Sequence, residues 1–545
     1  MFSRWEATRR PGQDASLLRI LPWLLVPAVV GFLLILYATR WGPWAYSDSV
    51  EFLGAARNLA AGRGLGLYSP TGRFMSLELH PPLYPLLLAG GIELGLDVVQ
   101  AARWIAAALF AVVLMEIGLA AWGVSRSLLL SLTIAAIVLV SARWVDLFSG
   151  AMTEPLFLVL VVASLCALVM AARSDHRGWI LLAGILAGMS ILTRFAGMAV
   201  LGAGVAFLLL FRSGRASRRL IDVGLFLLLG AAPLTIWMAT FPSEGGSSLG
   251  VRLPEWREAW QGLAPVRVEL ASTLWGWVPV AGSLPDLPYR WQLAVGLAVI
   301  GAGLGLFAAA VAHRKRMKRG TLAESAAGSA FVLLGLFVAA YVAVVALAYI
   351  SRDIRLDLIG RTLLPISLGL SAAALCLVWF ATETWGGRRW AVLVLAAAGL
   401  VLVIEGAAPT LELAFSLHEK GRGYTSAGWH DSGVIRGLAE LDPELVVVTN
   451  EPAAIELWTG RVPFQLEDSE NEEGQPASMA CCSEGEPGAP GLPSEAQVLA
   501  LFDSVYGQWL TVSEEETEER IGRLTENLNV YSDYWDGTIY LVPGK

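Results

Sequence analysis

Long apolar runs separated by short polar loops fill the first 408 residues of the chain. A run of roughly 18 or more apolar residues is a candidate membrane-spanning helix. The pattern predicts a mainly α fold, a polytopic membrane helical bundle of about 11 transmembrane helices. The predicted spans are 17–38, 101–122, 127–142, 154–172, 179–195, 197–211, 220–241, 291–312, 327–350, 362–381 and 390–408.

One further apolar segment, 82–96, is predicted not to cross the membrane. It is only about 15 residues long and contains Pro82, Pro85 and paired glycines, features of a re-entrant or interfacial segment. By contrast, the run 17–38 is too long for the core of a signal peptide, so we expect it to be retained as the first transmembrane helix.

The pattern changes after Thr410 to that of a small soluble α/β domain, predicted at 409–545. Short helices are expected at 434–441 and 453–458, and β-branched strands at 445–449 and 538–542. The alternation of helix and strand indicates an α/β unit. Within it, the stretch 466–494 is rich in Glu, Pro, Gly and Ser, which predicts a disordered insertion.

Composition supports the membrane assignment and excludes an ordinary soluble protein. The chain is 55% hydrophobic and 16% charged, against about 25% charged residues in soluble domains. The formal net charge of -8 reflects acidic residues after Leu466, and no feature points to nucleic acid. Cys166 and Cys376 lie inside apolar runs, and the adjacent Cys481 and Cys482 have no metal-binding spacing.

The distribution of lysine and arginine predicts which loops face which side. If 82–96 does not cross, nearly every dense basic cluster falls on the side of the N-terminus, which is then cytoplasmic. The clusters are Arg4, Arg9, Arg10 and Arg19; Arg126; Arg173 and Arg177; Arg212, Arg215, Arg218 and Arg219; Arg314, Lys315, Arg316, Lys318 and Arg319; Arg388 and Arg389. The chain is thus predicted to be a multi-pass protein of the cell (inner or plasma) membrane.

The opposite, extracytoplasmic side receives four outer loops and the C-terminal domain. The loops are 39–100, 143–153, 242–290 and 351–361, and the domain follows at 409–545. The longest polar segments therefore share one face, and the candidate functional residues are sought there.

Asp48 is the first candidate for chemistry, because it lies just past the outer end of the first span. The residues after it, 49–61, place apolar side chains at helical spacing with polar ones opposite, which predicts an amphipathic helix along the membrane surface. A carboxylate at the start of that helix has two interpretations. It either caps the helix or acts in chemistry at the membrane surface.

Two further pairs of candidate residues lie on the same predicted side. Glu78 and His80 precede a rigid run of prolines and suit acid–base or metal chemistry, although a lone histidine is more often a structural hydrogen-bonding group. Asp146 and Glu154 lie in and just after the second outer loop. Glu154 stands at the mouth of an apolar helix, where it either stabilises the helix N-terminus or serves a function.

Arg194 and Arg361 lie at the predicted outer ends of two helices. Either side chain can extend harmlessly to the interface or bind a phosphate, for which the planar guanidinium is well suited. The predicted topology places all the polar candidates at one outer interface. Carboxylates that can activate a hydroxyl, beside arginines that can bind phosphate, next to a membrane, suggest a reaction on a lipid-linked substrate.

The ordered motifs resemble those of the GT-C glycosyltransferases, membrane enzymes that use polyprenyl-phosphate sugar donors. The chain is most similar to bacterial relatives of the protein mannosyltransferase and lipid A aminoarabinose transferase group. The resemblance covers most of the chain and rests on Asp48 with the following Ala-Ala-Arg-Asn-Leu-Ala-Ala-Gly-Arg-Gly, His80-Pro-Pro-Leu-Tyr84-Pro, Thr153-Glu-Pro-Leu-Phe, Leu192-Thr-Arg-Phe, Gly360-Arg-Thr-Leu-Leu-Pro, Val448-Thr-Asn-Glu-Pro and Trp458-Thr-Gly-Arg.

The resemblance implies roles for these residues. Asp48 would be the essential carboxylate of the first loop, acting as general base on an acceptor hydroxyl or positioning it, and Glu154 would assist it. Family members differ over metal dependence, so Asp48 and Glu154 are also candidate ligands of a divalent Mg or Mn ion. Substrate contacts are implied for Glu78, His80, Tyr84, Arg194 and Arg361.

The predicted function is therefore transfer of a hexosyl or pentosyl group from a polyprenyl-phosphate donor to a lipid, glycan or protein acceptor on the extracytoplasmic side. The alternatives are a lipid or sugar transporter or flippase, an O-antigen ligase-like enzyme, and a non-catalytic GT-C scaffold. A transporter would need broken helices in paired repeats and mid-membrane charges, and few mid-span charges are visible. A ligase would concentrate its chemistry in one late outer loop, and the acids of 242–290 form no convincing cluster.

Overall fold

A computed structural model gives the fold of the chain and describes residues 13–77, 80–240, 268, 271, 288–317, 322–351, 363–466, 492, 495–503, 521–522 and 524–543. The part before residue 421 is almost entirely helical. Its helices are α1 (Gln13–Ala38), α2 (Ser47–Ala60), α3 (Leu83–Glu93), α4 (Val98–Ser125), α5 (Leu128–Leu139), α6 (Ala142–Phe148), α7 (Glu154–Arg173), α8 (Gly178–Ile191), α9 (Met198–Phe211), α10 (Ala216–Thr240), α11 (Tyr289–Arg316), α12 (Ala326–Ser351), α13 (Leu364–Trp385) and α14 (Arg388–Lys420). A hairpin of β1 (Gly66–Tyr68) and β2 (Phe74–Ser76) follows α2.

The mainly α membrane class is confirmed, but the predicted count of eleven spans is not. Among the described helices, eight are long and apolar enough to cross a membrane, or nine if α5 and α6 form one bent span. Helices α8 and α9 have 14 residues each, about 21 Å of helix against a hydrocarbon core of about 30 Å. Helix α3, in the segment predicted not to cross, has 11 residues, or about 16 Å.

The predicted span at 127–142 is interrupted in the structure. The chain instead bends by 65° between α5 and α6, so part of the predicted loop 143–153 is helical. A break in a helix frees backbone carbonyls that lipid cannot satisfy. Thr410 on α14 donates its hydroxyl hydrogen to the Val140 carbonyl at this break, at 2.5 Å.

Three chain segments that are distant in sequence join through backbone hydrogen bonds, and we call this arrangement the clasp (Trp44–Ala45, Ser149–Ala151 and Gly423–Tyr424). The Trp44 N–H donates to Ser149 O at 2.8 Å, and the Ala151 N–H donates to Trp44 O at 2.9 Å. On the other side of the Trp44–Ala45 segment, the Tyr424 N–H donates to Ala45 O at 2.9 Å. The clasp thereby holds the segments before α2 and before α7 against the chain that leaves α14.

The C-terminal region forms a mixed sheet with short helices. Its elements are α15 (Ala427–His430), α16 (Gly433–Glu440), β3 (Val447–Thr449), α17 (Pro452–Thr459), β4 (Phe464–Gln465), β5 (Val498–Phe502), β6 (Asn529–Tyr534) and β7 (Gly537–Leu541). The five-stranded order is β4-β3-β5-β7-β6, parallel across β4, β3 and β5 and antiparallel across β5, β7 and β6. The two helices and two strands expected here are therefore observed within two residues of their predicted bounds. The predicted insertion 466–494 falls almost wholly outside the described residues.

The Val448-Thr-Asn-Glu-Pro segment has a structural role in this sheet. Asn450 follows β3 and exchanges two hydrogen bonds of 3.0 Å with the backbone of Phe502 at the end of β5. Pro452 then begins α17 at the first helical position, where its missing N–H costs no hydrogen bond.

Helix α17 docks the C-terminal sheet onto α2. Leu457 is 3% exposed and packs in one apolar cluster with Val50, Phe52 and Tyr84. Next to it, burial raises the pKa of the Glu456 carboxyl to about 7. The charge of Arg57 lowers this pKa, and the charge of Glu51 raises it. The sheet region thus contacts the same helix that carries Asp48.

We expect Gly150→Ala to loosen the clasp. A Cβ at Gly150 would lie 2.4 Å from the Trp44 ring, so that segment must shift, at a cost of about 1–3 kcal/mol in the free energy of unfolding. Thermal unfolding of the purified chain in detergent measures the loss. Gly224→Ala is the control, because a Cβ there meets nothing within 4 Å; equal stability of the two variants would contradict the close contact.

A second prediction concerns the stability of the docked region as a function of pH. The pKa of Glu456 is raised from an ordinary 4.5 to about 7, so its contribution to stability is fully present below pH 4.5 and is lost as the pH rises through 7. Glu456→Gln should remove this loss, which amounts to at most about 3 kcal/mol. Melting temperatures of the wild type and of Glu456→Gln at about pH 5 and pH 8 test this direction. If the wild type gained stability relative to Glu456→Gln on going to the higher pH, the prediction would be contradicted.

Candidate active site

Helix α2 presents Asp48 in its first turn, partly exposed. The residue at the N-cap position is Tyr46, so the interpretation of Asp48 as the helix cap is not what the structure shows. The neighbouring Ser49 is fully buried, accepts a hydrogen bond from the Tyr46 N–H at 3.2 Å and lies 3.1 Å from the Met152 sulfur. The start of α2 is thereby fastened to the segment before α7, and the Asp48 carboxylate remains accessible.

Glu154 and Arg194 form a buried ion pair beside this point. Arg194 Nη1 lies 3.0 Å from Glu154 Oε1, and their side chains are 27% and 5% exposed. The same nitrogen donates to Thr153 Oγ1 at 3.0 Å, and the Thr153 hydroxyl donates to Glu154 Oε2 at 3.3 Å. Thr153, Glu154 and Arg194 therefore form a closed network where α7 begins and α8 ends.

Electrostatic proximity extends this network to three other elements. The charges of Glu154 and Asp48 both act on the Arg194 guanidinium, as does the Tyr341 hydroxyl of α12. The Glu154 charge also acts on the Tyr84 hydroxyl of α3. Tyr84 and Tyr341 are 2% and 1% exposed, so both phenols border the charged cluster from the apolar side.

His80 lies beside this cluster and not within it. Its Nε2 is 3.3 Å from Glu51 Oε2, and its ring packs edge-on against Phe52 with centroids 4.8 Å apart. Phe52 in turn packs edge-on against Tyr84 at 5.8 Å. The structure therefore places His80 on the side of α2, where the Glu51 pair and the Phe52 contact orient its ring.

Asp146 has a structural role in the clasp. Its carboxylate pairs with Arg422, its carbonyl accepts the Trp44 indole N–H at 2.9 Å, and the Arg422 guanidinium lies 5.1 Å from the centre of the Trp44 ring. The sequence placed Asp146 and Glu154 together as one acidic group, but the structure gives them different cationic partners.

Two residues of the site were not identified from the sequence. Thr153 stands within a quoted motif but had been given no role, and Tyr341 was overlooked because it lies inside a long apolar helix. A phenol hydroxyl in the middle of such a helix was a usable signal, because a polar group there requires a partner. The predicted residues Glu78 and Arg361 lie outside the described residues.

The metal hypothesis gains little from the described donors. Within the described ranges no group of three or more His, Cys, Asp or Glu side chains is placed to hold a metal ion. Of the two predicted ligands, Glu154 is already paired with a guanidinium. Two carboxylates would hold a Mg²⁺ ion only together with water or with the phosphate of a substrate.

The arrangement favours two kinds of chemistry. A partly exposed carboxylate can accept a proton from a hydroxyl. Arg194 contacts Thr153 and Glu154 through Nη1, and a guanidinium has further N–H groups that suit an anionic oxygen. The cluster can therefore hold a hydroxyl and a phosphate at the same time.

Comparison with known proteins confirms the resemblance to GT-C glycosyltransferases. Residues 79–237 match the sequence family described as dolichyl-phosphate-mannose-protein mannosyltransferase, a segment that carries His80, Tyr84, Glu154 and Arg194. The fold is similar to that of ArnT from Cupriavidus metallidurans bound to undecaprenyl phosphate, with a TM-score of 0.52, 13% sequence identity and coverage of 95% of this chain and 98% of that chain.

Two other solved structures align with lower TM-scores. The Archaeoglobus fulgidus oligosaccharyltransferase in its apo form aligns at 0.47 with 14% identity, covering 81% of this chain and 64% of its own. The arabinofuranosyltransferase AftD from Mycobacteria aligns at 0.48 with 17% identity, covering 96% and 42%. No curated protein matches the chain in sequence.

We expect Arg194→Met to be more damaging than Arg194→Lys. The methionine variant leaves the Glu154 carboxylate buried without this cation, which costs about 3–5 kcal/mol in the free energy of unfolding, whereas lysine keeps the charge. The double variant Arg194→Met with Glu154→Gln should regain part of the loss. Thermal unfolding measures all three; equal stability of the lysine and methionine variants would contradict a charge pair.

Proposed function

We propose that the chain is a membrane glycosyltransferase of the GT-C type. It moves a sugar from a polyprenyl-phosphate donor to a hydroxyl of a lipid, glycan or protein acceptor. The observation that carries this proposal is the charged cluster of Asp48, Glu154 and Arg194, which lies at one face of a membrane bundle with the fold of ArnT. A soluble hydrolase would need neither the bundle nor a phosphate-binding arginine beside lipid.

The donor class is supported by the fold comparison together with the place of Arg194 in the charged cluster. The ArnT structure with the similar fold holds undecaprenyl phosphate. A polyprenyl phosphate carries its anionic group at the membrane surface, and the planar guanidinium of Arg194 is suited to bind a phosphate there. The choice between hexose and pentose is not made by these residues.

The proposed reaction is a single displacement. The acceptor hydroxyl oxygen attacks the anomeric carbon while its proton passes to the Asp48 carboxylate. The bond between the anomeric carbon and the phosphate oxygen breaks, and both electrons leave with the polyprenyl phosphate. Arg194 stabilises the negative charge that develops on this leaving oxygen.

Glu154 serves this reaction by holding Arg194. The ion pair and the Thr153 hydroxyl fix one edge of the guanidinium, so the other edge is directed without further ordering when the phosphate arrives. Preorganised charge of this kind stabilises a transition state at low reorganisation cost. No step is assigned to a metal ion.

We further propose that the face with Asp48 and the C-terminal sheet is extracytoplasmic. The opposite face gathers arginines at helix ends: Arg212 is fully buried against Asp222, and Arg177 also pairs with Asp222 at 2.9 Å. Arg388 donates to the Ser125 carbonyl on the same face. A basic face of a multi-pass protein is usually cytoplasmic.

Asp48→Asn should abolish transfer while leaving the fold intact. Loss of a general base typically lowers the rate by about a hundredfold or more. The assay is transfer from a panel of labelled polyprenyl-phosphate sugars to membrane acceptors by the full-length chain. Asp97→Asn is the matched control, because Asp97 caps α4 through two N–H groups and asparagine caps as well as aspartate does.

The same assay with a chelator tests the metal hypothesis. Transfer that survives chelation supports an aspartate base without an obligatory ion, and transfer that requires added Mg or Mn would move Asp48 and Glu154 into a metal-binding role. Full activity of a folded Asp48→Asn enzyme would overturn the assignment of the base. A well-folded wild type that binds polyprenyl phosphate but transfers nothing would favour a transporter.

A further inference from the structure

Arg57 joins the catalytic helix to the C-terminal sheet. It lies near the end of α2 and donates from Nη2 to Leu457 O at 2.9 Å and from Nη1 to Glu456 O at 3.4 Å. Both carbonyls belong to the last turn of α17, where most backbone oxygens have no partner within their own helix; the Glu456 carbonyl also accepts the Gly460 N–H at 3.0 Å. A cation there also interacts favourably with the negative end of the helix dipole. Arg57 therefore caps α17 from a separate part of the chain.

The contact is close as well as polar. The Glu456 carboxylate reaches α2, since a Cβ at Gly54 would lie 2.7 Å from Glu456 Oε1. Leu457 packs with Val50 and Leu53 in the same apolar cluster. Helix α2 thus packs against both α3 and α17, in addition to the Ser49–Met152 contact at its start.

Arg57 lies too far from Asp48 to touch the same reacting atoms. It lies nine residues after Asp48 on one helix, a separation of about 14 Å at 1.5 Å per residue. A short helix moves as a rigid body, so a shift at Arg57 is transmitted to Asp48. Misplacing a catalytic group by about 1 Å can cost about a hundredfold in rate.

We propose that Arg57 is a positioning residue, which locks α2 against the C-terminal sheet and so sets the place of Asp48 in the active site. This inference rests on the proposed function. The C-terminal sheet then supports the active site indirectly, because the docked α17 holds the end of α2 that lies away from the Ser49–Met152 contact.

The variants are Arg57→Ala and Arg57→Lys in the full-length chain, with Arg461→Ala as the matched control. Arg461 makes the same kind of contact, from Nη2 to Leu438 O at 2.7 Å and from Nη1 to Asp442 O at 3.0 Å. Its partners lie inside the C-terminal region, so its loss weakens that region without releasing α2. Arg63→Ala is a second control, because Arg63 bonds only to Asn58 among the described side chains.

Arg57→Ala should lower kcat by about tenfold to a hundredfold, while the donor KM and the Kd for polyprenyl phosphate stay within about twofold. Lysine at this position should restore part of kcat, since it can still donate to one carbonyl. Arg461→Ala should lower the melting temperature by about as much as Arg57→Ala does, but it should keep kcat within about twofold of wild type. The proposal is overturned if Arg57→Ala keeps its kcat, or if Arg461→Ala loses kcat to the same extent.

Amide hydrogen exchange separates this proposal from the proposed function. Exchange within Ser47–Ala60 should rise in Arg57→Ala and remain at the wild-type level in Arg461→Ala, whatever the substrate. If the wild type transfers no sugar, the proposed function fails, and exchange still decides whether Arg57 holds α2. Unchanged exchange in Arg57→Ala would overturn the positioning role even in an active enzyme.

Discussion

The site depends on the backbone hydrogen bonds of the clasp. Segments before α2 and before α7 would otherwise be two independent loops, and their N–H and C=O groups would need partners near an apolar bundle. Pairing Trp44 with Ser149 and Ala151 satisfies these groups and fixes the distance between the loops. The clasp also fastens Ala45 to the chain that leaves α14, so the two carboxylate-bearing segments and the C-terminal region share one frame.

Within this frame the two carboxylates acquire different properties. Glu154 is buried and neutralised by Arg194, whereas Asp48 stays partly exposed in the first turn of α2. A buried ion pair adds little net stability, because desolvation offsets most of the attraction. Its contribution here is orientation, because it fixes the Arg194 guanidinium where α7 begins and α8 ends.

The helix with Asp48 is also the place where membrane bundle and C-terminal sheet meet. Leu457 from the sheet region and Tyr84 from α3 belong to the same apolar cluster as Val50 on α2. Because that cluster is continuous, packing on either side of α2 constrains the other. A C-terminal region packed in this way is coupled to the chemistry of the site through a rigid helix, without contributing a residue to it.

The sequence by itself determined the local features, because hydrophobic periodicity and turn residues act over a few residues. It predicted a helix at α2, the interrupted segment around α3, most of the helices and the ordered motifs with Asp48, Glu154 and Arg194, but not that most of α2 is buried. Only the tertiary structure decided the 65° bend after α5, the shortness of α8 and α9 and the separate partners of Asp146 and Glu154. It also decided the places of Thr153, Tyr341 and Arg57. These features depend on contacts between segments up to 400 residues apart, and the spacing along a chain carries no information about which distant groups will meet when its helices pack.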